Sequence, residues 1–250
     1  MPNRFKLVNF IILSALLLLA SGCTTIYNPA TQRREMILIN TENEIALGID
    51  MDKQIRRELK VWDDPQMQKR LDEIGQKVAT TSDRQDLKYN FKIVKDEEFN
   101  AFAIPGGFVY VNSGLIKAAD DDELAAVVAH EIAHTAARHS VKRRQANLGY
   151  QLIMNIALGA SGQQAVLQAV DISFNLVSLG YSRQDEFLAD KLGVKYTYLS
   201  GYNPIGMVTF FQKLDKQKKP GITPPVFLSS HPPVKDRIER AKNEISLLKK

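Results

Sequence analysis

One short motif restricts this 250-residue chain more than any other feature: His130-Glu131-Ile132-Ala133-His134, set inside a well-signalled helix. Asp120 followed by Glu123 has capping-box spacing, and Leu124, Val127, Val128 and Ile132 then recur at helical intervals. Residues four apart share a helix face, so the two imidazoles converge, while Glu131 projects about 100° around the axis from His130. Two neutral nitrogens with ligand distances of about 2.0–2.1 Å suit zinc, and the carboxylate beside them is placed to take a proton from water. The alternative is a chance match on a solvated face. It sits poorly with Ala129, Ala133, Ala136 and Ala137, small neighbours that leave room for an ion and a substrate.

A catalytic zinc needs a third protein ligand and an open position. No third histidine follows closely, and His139, five residues after His134, points off the ligand face; it reads as structural or supporting. The candidate is Glu186-Phe187-Leu188-Ala189-Asp190, on a helix that Ser182 begins. Four apart, one carboxylate can ligate while the other accepts a hydrogen bond from a ligating histidine and fixes its tautomer. Alone, such a pair is common on solvated helices. Beside the histidine motif, with Leu188, Ala189 and Leu192 around it, it becomes the favoured ligand source.

The remaining pattern predicts one compact α+β domain, mostly helical, with a small sheet or hairpin beside the motif helix. Helices are expected over 42–61 and 65–79, a strand over 89–94, and a hairpin from strands 100–104 and 108–112 around Pro105-Gly106-Gly107. The 148–180 segment is apolar but interrupted, and reads as two packed helices rather than a membrane hairpin. Further helices start at Asn203-Pro204 and Pro232-Pro233.

The beginning of the chain reads as an address. Arg4 and Lys6 precede an apolar stretch over 7–20, then Ala20-Ser21-Gly22 and the single cysteine, Cys23. This resembles a bacterial lipoprotein signal, with 1–22 removed and Cys23 lipidated. Residues 23–40 then read as a tether and 41–250 as the domain. Two or more acyl chains hold a protein on a membrane stably, each buried methylene contributing about 0.8 kcal/mol. Thr24 favours an outer-membrane destination by the same resemblance, so the expected place is the cell envelope, on the periplasmic face of that membrane. A lone cysteine excludes an internal disulfide and a cysteine zinc finger. A net charge of +5, partly supplied by Arg4 and Lys6, is too small and scattered to point to nucleic acid.

The histidine motif, the 186–190 pentapeptide, His231-Pro232 with Arg237, the Asn100–Gly107 run and Val111-Asn112-Ser113-Gly114-Leu115 together resemble the HtpX-like zinc peptidases, relatives of the CAAX prenyl protease. The similarity runs from about residue 44 to the C-terminus, without the transmembrane helices of the prenyl-protease branch. It is to the minimal, secreted, lipid-anchored branch, implicated in envelope protein quality control. The resemblance implies a zincin-like fold and one zinc ion on His130, His134 and Glu186, with Glu131 as general base and Asp190 orienting a ligand histidine. Zinc then lowers the pKa of water to about 7 and polarises the scissile carbonyl, and Glu131 relays the proton to the leaving amine. His231 is a candidate either to stabilise the oxyanion or to latch the vacant zinc position; otherwise it is a surface histidine. Arg237 either braces that segment or is an exposed helix charge.

Asn100, Ala101, Phe102 and Ala103 are a candidate sheet edge that pairs with an extended substrate, or else a buried hairpin. Lys213, Lys216, Lys218 and Lys219 read as a solvated face with weak attraction to anionic lipid as an alternative. The expected clients are unfolded or damaged envelope polypeptides. The competing function is a lipoprotein chaperone or assembly factor that uses the cleft mainly to hold clients.

Overall fold

The computed structural model describes residues 25–158, 181–217, 231 and 234–248. The leader, Cys23, Lys218, Lys219 and most of the 148–180 segment lie outside the described residues. The fold is α+β and mostly helical, with two small sheets. Strands β1 (Thr25–Asn28) and β2 (Arg33–Met36) precede helices α1 (Thr41–Glu58) and α2 (Pro65–Ala79). Strands β3 (Asn90–Val94), β4 (Ala101–Ile104) and β5 (Phe108–Asn112) come next. They lead to a short helix α3 (Ser113–Ala118), the motif helix α4 (Asp121–Ala136) and α5 (His139–Leu158). Helices α6 (Arg183–Leu199), α7 (Ile205–Gln217) and α8 (Val234–Leu247) complete the described chain. Outside the 148–180 segment, the expected helices and strands are present within a few residues of their predicted bounds, while the two packed helices expected over 148–180 fall mostly outside the described residues. The first eleven residues of the 148–180 segment are the end of α5.

Helix α4 is the axis of the molecule. Asp120 and Glu123 form the capping box, and every residue from Glu123 to Ala136 is buried. A helix apolar nearly all round has no solvent face to offer, so it is enclosed on several sides. Helices α2, α6 and α7 and strand β4 do this, and the alanines let them approach. Buried Glu123 accepts from Lys213 Nζ at 2.5 Å, so this lysine of the basic stretch is half-buried and tied to the motif helix rather than free in solvent.

The three-stranded sheet has the order β3-β5-β4, with β3 parallel and β4 antiparallel to β5. Central β5 is buried throughout, whereas β4 is an edge among the described residues and runs beside α4. The tight β4–β5 connection needs Gly106 and Gly107 at φ +80° and +87°, a region that side chains disfavour.

Residues 25–36, expected as tether, instead form an antiparallel hairpin. Its scarcity of apolar residues is misleading because polar groups hold it. Asn28 Nδ2 donates to Glu35 at 2.9 Å, Lys142 Nζ donates to the same carboxylate at 2.6 Å, and Gln145 Oε1 accepts from the Leu38 amide at 2.8 Å. The hairpin is thereby docked on α5.

Between α4 and α5 the chain turns at Arg138, which has φ +56° where helices usually place glycine. Its guanidinium explains the exception. Nη1 lies 3.0 Å from Glu44 Oε2 and Nη2 donates to Thr41 Oγ1 at 3.0 Å, so the turn is tied to the start of α1.

Candidate metal centre

The site grows from the seam between α4 and α6. Gly193 of α6 lies against the motif helix so closely that a Cβ there would sit 3.2 Å from the His130 backbone nitrogen. That approach brings Glu186 and Asp190 opposite His130 and His134. His231 closes the group from the segment before α8.

Ligand atoms of His130, His134, Glu186 and His231 all lie within 4.8 Å of one another, and all four residues are buried. His134 Nε2 is 3.0 Å from His130 Nε2 and 3.4 Å from Glu186 Oε1. His231 Nδ1 is 2.9 Å from Glu186 Oε1 and 3.4 Å from His130 Nε2. Imidazole nitrogens and one carboxylate oxygen converging in a water-poor space are the donor set that zinc favours. Glu131 stands beside them, Oε1 3.7 Å from His231 Nε2, with both oxygens buried and no side-chain donor within hydrogen-bond distance among the described residues. A buried carboxylate left so is costly unless a cation or a proton completes it.

The surrounding charges are arranged to hold this cluster. Asp190 Oδ1 lies 3.0 Å from His130 Nδ1, the nitrogen turned away from the donor cluster. Arg237 binds Asp190 through Nε and Nη2, each at 2.7 Å, and brings Nη1 to 2.9 Å from Glu186 Oε2 and 3.1 Å from the His231 carbonyl. Arg237 is fully buried, which corrects the reading of an exposed helix charge. Two carboxylates removed from water require a cationic partner, and a planar fork meets both.

The ionisation equilibria follow from burial and these pairings. Burial raises the Glu131 carboxyl above the ordinary carboxylate range, against the opposing fields of His231 and His130. Burial also works to raise Glu186, but the charges of His231 and Arg237 outweigh it and hold that group well below the usual range. Asp190 is likewise lowered, burial being overcome by Arg237. Burial drives His134 well below the usual imidazole value, favouring the neutral form a ligand must have.

The candidate substrate edge is beside this centre. Ala101 and Ala103 are buried, the Asn100 carbonyl accepts from the Asn112 amide at 2.9 Å, and Phe102 stacks on Tyr110 with centroids 4.9 Å apart. A small cavity at its Ala103 end is lined also by Ile104, Pro105, Ser140, Arg143 and Arg144. Sequence reasoning missed Tyr181, whose ring stacks on His134 with centroids 3.9 Å apart and has the Arg143 guanidinium 4.4 Å from its centre. Its only signal was its place just before the cap of α6, which carries no chemistry.

Comparison with known proteins agrees with this geometry. The model of peptidase family M48 matches residues 65–245. The chain is 28% identical over 216 residues to the beta-barrel assembly-enhancing protease of Escherichia coli, covering 82% of this chain and 44% of that protein. It is 30% identical over 181 residues to the metalloprotease LoiP of Escherichia coli, covering 71% of this chain and 70% of the relative. It is 30% identical over 165 residues to the mitochondrial metalloendopeptidase OMA1 of Schizosaccharomyces pombe, covering 66% of this chain and 49% of that protein. The chain thus spans under half the length of the assembly-enhancing proteases it matches. With the seam between α4 and α6 carrying a zinc donor set inside the matched region, this chain belongs to peptidase family M48.

Proposed function

We propose that this protein is a zinc-dependent endopeptidase of the cell envelope that hydrolyses unfolded or damaged envelope polypeptides. The observation that carries the reading is the buried donor cluster with the fully buried carboxylate of Glu131 at its side. His130, His134 and Glu186 would hold the ion. Zinc, when bound, lowers the pKa of water to about 7 and polarises a carbonyl.

Glu131 is the general base. Its raised affinity for a proton, caused first by burial, suits a group that takes one from water and passes it to the leaving amine. Asp190, held by Arg237, orients His130 through Nδ1. His231 is read as a latch rather than an oxyanion donor, because its Nδ1 points at Glu186 and His130, among the ligands. A catalytic site needs an open position, so His231 has to swing away before substrate binds. An extended substrate then adds to the β4 edge from Asn100 to Ala103, where main-chain hydrogen bonds give affinity with little side-chain preference. Such binding selects segments that are already unfolded.

Anchoring through a lipid on Cys23, at the periplasmic face of the outer membrane, is supported by the leader pattern. No helix among the described residues is long and apolar enough to cross a membrane. The Escherichia coli relative named for beta-barrel assembly supports an envelope setting.

The test is Glu131→Gln in the full chain. The variant is expected to retain one zinc per chain and to lose about 10²–10⁴-fold in cleavage of an unfolded protein. Full cleavage by the variant, or full restoration of envelope function in cells by an inactive variant, would overturn the peptidase role.

A further inference from the structure

The two motif histidines differ in what holds the ring nitrogen turned away from the donor cluster. For His130 it is Asp190. His134 Nε2 faces the donor cluster, so its Nδ1 is the nitrogen left to orient the ring. That Nδ1 lies 2.8 Å from Nδ1 of His139, and both rings are buried. They meet edge to face, with centroids 5.0 Å apart at 68°.

On a continuous helix, position 139 would lie about 140° around the axis from His134 and could not reach it. The helix is not continuous. Arg138, at φ +56° and pinned to Glu44, breaks it and returns His139 to the back of His134. On the far side, His139 Nε2 is 3.4 Å from Asp185 Oδ1. Asp185 is itself fixed by the cap of α6, its Oδ2 accepting from Ser182 Oγ at 2.7 Å and from the Ser182 amide at 3.2 Å.

We propose that His139 is a positioning residue for His134, backed by Asp185, so that helix α6 supplies both a metal ligand and the orienting carboxylates of both histidines. The proton placement has one consistent solution. If His134 ligates through Nε2, its proton sits on Nδ1 and is donated to Nδ1 of His139. His139 is then the Nε2–H tautomer, and its proton points at Asp185. Asp185, Glu186 and Asp190 thus act from a single helix, the first through His139, the second directly and the third on His130.

This inference rests on the metal centre proposed above, and the experiment separates the two. Zinc affinity is measured by chelator competition for the wild-type chain, His139→Leu and His139→Asn. Asparagine keeps an acceptor near the place of Nδ1; leucine keeps bulk only. The leucine variant is expected to bind zinc about 10–100-fold more weakly, and the asparagine variant within a few-fold of wild type. Should His139→Leu fail to fold, nitrogen chemical shifts of the zinc-loaded wild-type protein decide instead. His134 is expected to carry its proton on Nδ1 and His139 on Nε2. Equal affinity of wild type and His139→Leu, equal losses in both variants, or a proton on Nδ1 of His139 would each overturn the proposal. A wild-type chain that takes up no zinc would defeat the metal centre itself.

Discussion

Arg237 clasps both oxygens of Asp190 at 2.7 Å, and Asp190 in turn lies 3.0 Å from Nδ1 of His130. The same guanidinium brings Nη1 to 2.9 Å from Glu186 and stacks over Phe211 at 4.4 Å from the ring centre. One fully buried cation therefore links α8 to two carboxylates of α6, Glu186 and Asp190. Arg237→Met would leave Asp190 and Glu186 buried without their cation. Breaking a buried pair on one side costs about 3–5 kcal/mol. The variant is expected to lose that much stability in denaturant titrations of the metal-free protein. Arg237→Lys, which keeps the charge but not the fork, is expected to lose less. A Met variant as stable as wild type would mean that the clasp contributes nothing.

Helix packing at the site can be tested through Gly193. A Cβ at this position would meet the His130 backbone at 3.2 Å and the end of Met207 at 2.9 Å. The Met207 side chain can move aside, but the His130 backbone is fixed in the central helix. Gly193→Val adds bulk against that backbone and is expected to cost about 1–3 kcal/mol, the range for overpacked cores. It is also expected to weaken zinc binding, because α6 carries Glu186 away from His130 as it shifts. Thermal unfolding and chelator competition report the two effects separately.

The chemistry of this site was more legible in the sequence than its setting. His130, Glu131 and His134 announce themselves because helical spacing alone brings them to one centre. Glu186 and Asp190 follow from the same spacing once a third ligand is sought. Arg237 was ambiguous because a helix charge is normally solvated, and only the three-dimensional meeting of two carboxylates draws it inside. His139 was hidden for a different reason. Its contact with His134 depends on a left-handed residue between two helices, and nothing in local spacing signals a non-glycine there. The hairpin at 25–36 was hidden by composition, since polar side chains from α5, more than a hundred positions later, hold it in place.

That left-handed turn makes its own prediction. Arg138 combines an unfavourable backbone with a buried ion pair to Glu44. Arg138→Ala removes the pair and keeps the strain, whereas Arg138→Gly removes both. The glycine variant is expected to be the more stable of the two by about 1 kcal/mol, the usual difference in the left-handed region. Both are expected to be less stable than wild type, because Glu44 loses a partner. If alanine matched glycine, strain at position 138 would not be a factor.

Stability towards acid is expected to depend on a group remote from the metal. Asp52 of α1 has a buried side chain that contacts Lys92 Nζ, accepts from the Tyr110 hydroxyl at 2.5 Å and pairs with Arg56 at 2.8 Å. Burial acts to raise its carboxyl, but hydrogen bonds from Lys92 and Tyr110 outweigh that and leave it below the ordinary value. A carboxylate lowered on folding binds fewer protons in the native than in the unfolded state, so stability rises with pH across the interval between the two values. Its contribution is complete above the unfolded value of about 4 and disappears as pH falls through the lower, folded one. Asp52→Asn removes the titration. The variant is expected to be less stable at neutral pH and to show a shallower fall in stability below about pH 4 than wild type. Denaturant titrations of both metal-free proteins at several acidic pH values measure the two slopes. Parallel slopes would exclude Asp52 from the acid response and leave that role to other lowered carboxylates, such as Glu35 and Asp86.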